Sequence, residues 1–386
     1  MNPHRRSQLR EQLRATAPRW TQLATTHGTP LLVLEPHRVA RRLRELQSAL
    51  PGFDVHYAVK ALPHPVVLST VAICGGGFDV ATRGEVDLLG RLGLPLHRAI
   101  HTNPIKKPAD IEHAHAAGIR TFVVENPTEI EKFAGLPDDI EVLVRLAFLN
   151  PAAKSDLSTK FGVAPADAEL LVKHVLASGV DFAGFSFHVG SQSSSTEPFR
   201  RALQHTLELT DHIETTLGVP TRTIDIGGGF PVSYREPEPP ISEIGEIVDD
   251  VLGTRRAEFT LLCEPGRFLA ADCMTLLTTV VGTAERAGRT WHYLDDGLYG
   301  SYSNVMTEDV HAPILALAEL TGDGEPTLQP VTLAGPTCDS ADVIARDYPM
   351  PRLAVGDVLV SPMMGAYTTV TASRFNGIEA TPIVMG

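Results

Sequence analysis

Residues 55–82 read VHYAVKALPHPVVLSTVAICGGGFDVAT: an apolar run closing on Lys60, a helical stretch (PVVLSTVAI, 65–73), a glycine triplet at 75–77, and a second apolar run closing on Thr82. Run, helix, turn and run is the pattern of a βα unit in a parallel sheet. The pattern continues outward along the chain. Further runs are AIHTN (99–103), TFVVEN (121–126), EVLVRL (141–146), GFSFHVG (184–190), TIDIGGG (223–229) and FTLLCEPG (259–266). Between them lie amphipathic stretches such as RGEVDLLGRLG (83–93), PADIEHAHAAG (108–118), DAELLVKHVLASG (167–179) and EPFRRALQHTLELTDHIETTLG (197–218), several ending in the glycine that stops a helix. Eight strands alternating with helices predict a (β/α)8, TIM-like barrel.

After Arg267 the rhythm changes. The runs CMTLLTTVVG (273–282), RTWHYL (289–294), TLQPVTLAG (327–335) and GDVLVSP (356–362) follow one another without long helices between them, as in a mostly antiparallel β domain. The expected division is an N-terminal segment, 1–29, packing on the C-terminal domain, a barrel over 30–270, and a β domain over 271–386. The Pro-rich YREPEPPIS (234–242) reads as a surface loop within the barrel, because a further helix and strand follow it.

Composition excludes several classes. With 386 residues, 43% hydrophobic and 20% charged, the chain has the profile of a globular protein. A formal charge of −13 disfavours nucleic acid and anionic membrane surfaces as partners. Cys74, Cys263, Cys273 and Cys338 form no CxxC pair, so neither a zinc site nor a disulfide framework is expected, and a cytoplasmic location fits best. The N-terminal MNPHRRSQLREQLRATAPRW has no apolar core of a signal peptide, and no stretch approaches the ~18 apolar residues of a membrane span. His113 and His115 lie two apart on a helix and face different ways, so no metal is predicted.

In such a barrel the chemistry gathers at the C-terminal ends of the strands. Here those ends are polar: Lys60, Asp79, Asn103, Glu125, Arg145, His188, Gly227 to Gly229, and Glu264 with Arg267. Gly75 to Gly77 precede a strand and fall at the barrel bottom, where they end a helix. Gly227 to Gly229 follow the seventh strand, a common place for a phosphate on bare backbone N–H groups, although a plain tight turn is the alternative. Neither a Walker A sequence nor GxGxxG accompanies them, so a small phosphorylated cofactor is favoured over a nucleotide. Lys60 reads either as a desolvated amine fit for Schiff-base chemistry or as a snorkelling surface lysine.

HYAVKA around Lys60, FDVATRGE, FSFHVGSQ, IDIGGGFP, CEPGRF, DDGLYGS, GPTCDSAD, GAYT and FNG, in this order over nearly the whole chain, resemble the alanine-racemase-fold decarboxylases of ornithine, lysine and diaminopimelate. The resemblance implies pyridoxal 5'-phosphate held by Lys60 and a homodimer with shared active sites. It gives His188 the cofactor ring face and Glu264 the ring nitrogen. Ser191, Gly227, Gly228, Gly229, Gly266, Arg267 and Tyr367 fall to the phosphate region. Asp79 and Glu85 support Lys60 and the cofactor, while Arg145 packs near the ring edge. Cys338, contributed by the partner subunit, protonates the product carbon. Asp339, Tyr299 and Glu308 face the substrate, Asp339 and Glu308 meeting its distal amine. Cys338-Asp339 is similar to the ornithine and lysine branch, whereas diaminopimelate enzymes usually carry glutamate after the cysteine. Ornithine and lysine differ by one methylene, worth about 1–3 kcal/mol in an apolar pocket, so both stay open. A diaminopimelate or specialised amino acid decarboxylase, a racemase and a cofactor-free regulatory homologue are the alternatives.

Overall fold

The computed structural model describes residues 1–151, 153–322 and 324–386, which form two compact units. One unit, Val39–Val232 with Glu238–Leu269, contains a closed eight-stranded barrel. Its strands are Phe53–Ala58, Gly77–Val80, Ala99–His101, Thr121–Val124, Glu141–Leu146, Asp181–Phe187, Thr223–Asp225 and Thr260–Cys263. All eight neighbouring pairs are parallel, and Cys263 beside Val55 closes the ring. These are the eight runs read from the sequence.

Alternate residues of each strand point to opposite faces. Ile100, Val123, Leu143, Ala183 and Leu262 meet inside the barrel, one layer below the polar strand ends. Phe78, Phe122, Val124, Val144 and Phe185 occupy the other face and are fully buried. Burial on both faces is why the strands read as near-continuous apolar runs. Helices such as Pro65–Ile73, Arg83–Arg91, Ala168–Ser178 and Glu197–Leu217 alternate with the strands. Gly179 and Gly218 end the last two in the left-handed conformation that a side chain would disfavour.

The other unit comprises Met1–Arg38, Ser233–Pro237 and Ala270–Gly386. Its eight-stranded sheet is built on Met274–Arg286, which pairs antiparallel with Arg289–Leu294, Val358–Pro362 and Leu31–Leu34. Gln329–Ala334 and Val343–Met350 extend it antiparallel to each other. Helices Pro3–Arg14 and Ala17–His27 bury Leu9, Leu13, Trp20 and Leu23 against Leu31, Leu277, Leu320 and Val360. Arg6 clamps Glu319 through two contacts, Nη2–Oε1 at 2.6 Å and Nε–Oε2 at 3.0 Å, with both side chains buried.

Two boundaries differ from the sequence division. The division by sequence places Leu31–Leu34 in the barrel, but its N–H and C=O groups are taken by Met274–Arg286 and Ile383–Met385, so it is a strand of the β unit. The YREPEPPIS segment is not wholly a barrel loop. Ser233–Pro237 belong to the β unit, where Arg235 donates to the Ala312 carbonyl at 3.0 Å and lies over the Tyr348 ring. A Pro-rich composition marks irregular backbone, not the surface it runs along. Among the described residues no helix is long and apolar enough to cross a membrane.

Candidate active site

The first barrel strand ends in a single 3-10 turn, Val59–Ala61, which brings Lys60 over the barrel mouth. Lys60 Nζ donates to Asp79 Oδ2 at 3.3 Å, and its side chain is half exposed while Asp79 is buried. Asp79 Oδ1 accepts from the Thr102 hydroxyl at 2.5 Å. Glu85 lies nearby on the helix Arg83–Arg91, where its carboxylate accepts the Ala81 N–H at 2.6 Å. Burial pushes the Glu85 pKa up against that hydrogen bond.

His188 follows the sixth strand. Its Nδ1 accepts the Gly190 N–H at 2.9 Å, so in the neutral ring the proton sits on Nε2. Burial, then the positive charges of Arg145 and Lys60, drive its pKa well below the usual histidine range. The ring is therefore a flat, uncharged surface at neutral pH. Arg145, at the end of the fifth strand, lies over the Phe161 ring with its guanidinium carbon 5.4 Å from the centroid.

Asp225 and Glu264 end the seventh and eighth strands side by side, and both are buried. Burial pushes both pKa values up, and the Asp225 charge adds to it at Glu264, whose pKa lies well above the carboxylate range. Asp225 Oδ1 accepts the Gly227 N–H at 2.9 Å, and the Asp225 and Glu264 carboxyl groups hydrogen-bond to each other. A protonated ring nitrogen directed at this pair would bring it the positive charge that offsets its burial.

Gly227 to Gly229 press edge-on against their neighbours. A Cβ on Gly227 would lie 2.2 Å from the Phe187 carbonyl oxygen, one on Gly228 2.6 Å from that of Glu264, and one on Gly229 2.3 Å from that of Gly190. Gly227 and Gly229 have φ of +66° and +94°, so backbone conformation and close packing both demand glycine there. The Gly228 Cβ would also come 3.1 Å from His188 Nε2, which places this loop against the imidazole. Gln192 fixes its exit, accepting the Val232 N–H at 2.8 Å and donating to the Val232 carbonyl at 3.0 Å. Ser191 lies in a two-stranded ribbon, Ser191–Ser193 with Ala153–Ser155, and Gly266 and Arg267 are buried after the eighth strand.

A Lys amine, a neutral imidazole, a side-chain-free loop and a buried carboxyl pair with raised pKa values thus share one barrel mouth. These residues fit pyridoxal phosphate. Two of the polar strand ends do other work: Asn103 donates to the Ala81 carbonyl and accepts the Ile105 N–H, and Glu125 accepts the Gly162 N–H. Thr102, Asp225 and Gln192 also lie in this cluster, bonded to Asp79, Gly227 and Val232, and are not among the residues expected from the sequence. Asp225 had a visible signal, since it lies two residues before the glycines on an inward-facing strand position.

The remaining candidates lie in the β unit. Cys338 is exposed, and its N–H donates to Asn376 Oδ1 at 3.1 Å. Asp339 accepts the Ala341 N–H at 2.9 Å and the Tyr299 hydroxyl, and these two donors hold its pKa below the usual value. The same hydrogen bond raises the Tyr299 pKa. Tyr299 also packs on Phe375, with ring centroids 4.5 Å apart. Asp342 braces the cysteine loop from beneath, accepting the N–H groups of Leu298 and Thr337 and the Thr337 hydroxyl. Glu308 ends the short helix Asn304–Glu308, and Tyr367 takes a left-handed φ of +54°.

The family model for the pyridoxal binding domain of pyridoxal-dependent decarboxylases matches residues 37–271. The lysine/ornithine decarboxylase of Selenomonas ruminantium is 35% identical over 364 residues, covering 94% of this chain and 91% of that protein. The crystal structure of the lysine/ornithine decarboxylase of Vibrio vulnificus with putrescine superposes with a TM-score of 0.88 at 38% identity, covering 96% of this chain and 98% of the other. The cadaverine complex from the same organism gives 0.87 and 39%, over 95% and 97%.

Proposed function

Since the chain belongs to the pyridoxal-dependent decarboxylase family, and is thus a pyridoxal-phosphate-dependent amino acid decarboxylase, we propose that it converts L-ornithine and L-lysine to their diamines and carbon dioxide. The observation that carries the substrate reading is the Cys338-Asp339 corner. Asp339 is held ionised by two hydrogen-bond donors, one residue from an exposed thiol. A charged carboxylate there pairs with a distal ammonium and repels a distal carboxylate. The relative from Vibrio vulnificus binds both putrescine and cadaverine, so one pocket of this kind takes either chain length.

When bound, pyridoxal phosphate supplies an electron sink for the pair released as carbon dioxide leaves. Lys60 would hold its aldehyde carbon, and Asp225 with Glu264 would keep its ring nitrogen protonated. Neutral His188 would cover one ring face, with Arg145 at the edge and Asp79 and Glu85 supporting Lys60. Gly227 to Gly229, Ser191, Gly266, Arg267 and Tyr367 would receive the phosphate. Cys338 would deliver a proton to the product carbon in the partner subunit's site, with Tyr299 fixing Asp339 and Glu308 adding a second acid toward the distal amine.

Carbon dioxide release from L- and D-ornithine, lysine, arginine, meso-diaminopimelate and glutamate tests the substrate. Release from L-ornithine and L-lysine, and little from diaminopimelate or glutamate, is expected; preference for diaminopimelate would overturn the role given to Asp339. Cys338→Ala should keep the cofactor's visible absorbance while lowering kcat by about 100-fold, within the range of a lost proton donor. Mixing the impaired Lys60→Ala and Cys338→Ala proteins should raise activity well above that of either alone, because each hybrid dimer has one intact site. No recovery after proven subunit exchange would rule out sharing.

A further inference from the structure

We infer that Thr102 is a positioning residue for Lys60, acting through Asp79. Asp79 is one carboxylate with two tasks, since Oδ2 meets Lys60 Nζ at 3.3 Å and Oδ1 takes the Thr102 hydroxyl at 2.5 Å. Asp79 and Thr102 are both nearly inaccessible, 2% and 4% exposed, so water cannot replace the hydroxyl.

The barrel builds this contact from register. Asp79 lies opposite Ile100 and Val80 opposite His101, which puts Thr102 one step beyond the paired residues, at the level of the mouth. Its N–H is tied to the Val80 carbonyl at 3.2 Å, and the next residue, Asn103, is tied to the Ala81 carbonyl at 3.2 Å. The second and third strands are therefore bolted together beyond their regular pairing, and the Thr102 hydroxyl is the one of these bolts that ends on a functional carboxylate. A hydroxyl facing an ionised carboxylate donates. With Oδ1 occupied, the carboxylate plane is fixed and Oδ2 is directed to Lys60. Without the hydroxyl, the buried Oδ1 must seek another donor, and the Lys60 ammonium, already bonded to Oδ2, is a strong one within reach of this carboxylate. Lys60 would then be drawn down toward Asp79 and held as an ammonium, away from the aldehyde it must attack as a free amine.

This inference rests on Lys60 being the lysine that holds the cofactor. The test is the rate at which the full-length apoprotein captures added pyridoxal phosphate, followed by absorbance, with kcat and KM measured beside it. Thr102→Val should slow capture by about 10-fold, the scale of one charge-assisted hydrogen bond, and lower kcat more than KM changes. Thr102→Ser, which keeps the hydroxyl, should restore both to within about 2-fold of the parent. Capture at the parent rate in Thr102→Val overturns the proposal. So does equal slowing in the Val and Ser variants, which would assign the effect to packing. Should Thr102→Val not fold, Thr102→Ala removes the same hydroxyl without adding a methyl, and the same outcomes decide. Lys60→Ala is the control: unchanged covalent capture there would remove Lys60 from its role, whereas its loss alongside a normal Thr102→Val would sink the Thr102 inference alone.

Discussion

Lys60→Ala is expected to lower decarboxylation by at least about 10³-fold, to abolish the cofactor's absorbance in the visible, and to leave the protein folded. The rate loss follows from removing the amine that binds the cofactor covalently and moves protons at the reacting carbon, contributions that reach about 10⁴-fold for well-placed groups. Stability should change little, because the Lys60 side chain is half exposed and its pairing with Asp79 is only one long contact at 3.3 Å. Among the described residues no nearby lysine stands ready to replace it. Lys106 is buried, with Nζ directed at the carbonyls of Asn103, Pro104 and Val123 and at Glu129, a structural clamp on the third and fourth strand ends. Its pKa, pushed down to about 8 mainly by burial, reflects that confinement. Reduction with borohydride followed by peptide mass analysis should find the cofactor on Lys60 in the parent protein and nowhere in the variant. Activity within 10-fold of the parent, or a reduced adduct on another lysine, would refute the assignment.

What the sequence disclosed and what it hid divide along physical lines. The eight strands were legible because burial on both faces makes each an apolar run, as in TFVVEN with Phe122, Val123 and Val124 all inaccessible. Polar residues at the ends of such runs were legible for the same reason: Lys60, Asp79, His188 and Glu264 break an apolar pattern at the one place where a barrel keeps its chemistry. Pairing between distant segments was not legible. Leu31–Leu34 is as apolar as a barrel strand, and only its hydrogen bonds to Met274–Arg286 and Ile383–Met385 assign it to the β unit. The polar supports were hidden in the same way. Nothing in AIHTN distinguishes Thr102, which bonds a carboxylate on the preceding strand, from Asn103, which bonds a backbone carbonyl there. Side-chain direction at the end of a strand depends on where the pleat stops, and that is a property of the neighbour's register.

Glu264→Gln should lower kcat by about 10²–10³-fold while the cofactor still binds through Lys60, since a buried charge partner is worth about 3–5 kcal/mol when its counterpart is left behind. The same residue makes a pH prediction that needs no substrate. Folding raises the Glu264 pKa above its unfolded value, through burial first and the Asp225 charge second. In the apoprotein the folded chain therefore keeps a proton that the unfolded chain releases above about pH 4.3. The sign follows: stability is greatest below the unfolded pKa and falls as pH rises toward the folded one. A bound ring nitrogen brings a positive charge to the ionised pair, so the holoenzyme should lose less over the same interval, and the gap in Tm between holo and apo forms should widen from pH 5 upward. Glu85 and Glu125, also raised by burial, contribute slopes of the same sign, and the Glu264→Gln protein retains both. Subtracting its melting curve from that of the parent isolates Glu264 together with the Asp225 titration coupled to it. Calorimetry at pH 5, 6, 7 and 8 should give a flatter decline for the apo form of Glu264→Gln than for the parent apoprotein. Parallel declines would mean that Glu264 ionises in the folded apoprotein as readily as in the unfolded chain, and would overturn the rise in pKa assigned to its burial beside Asp225.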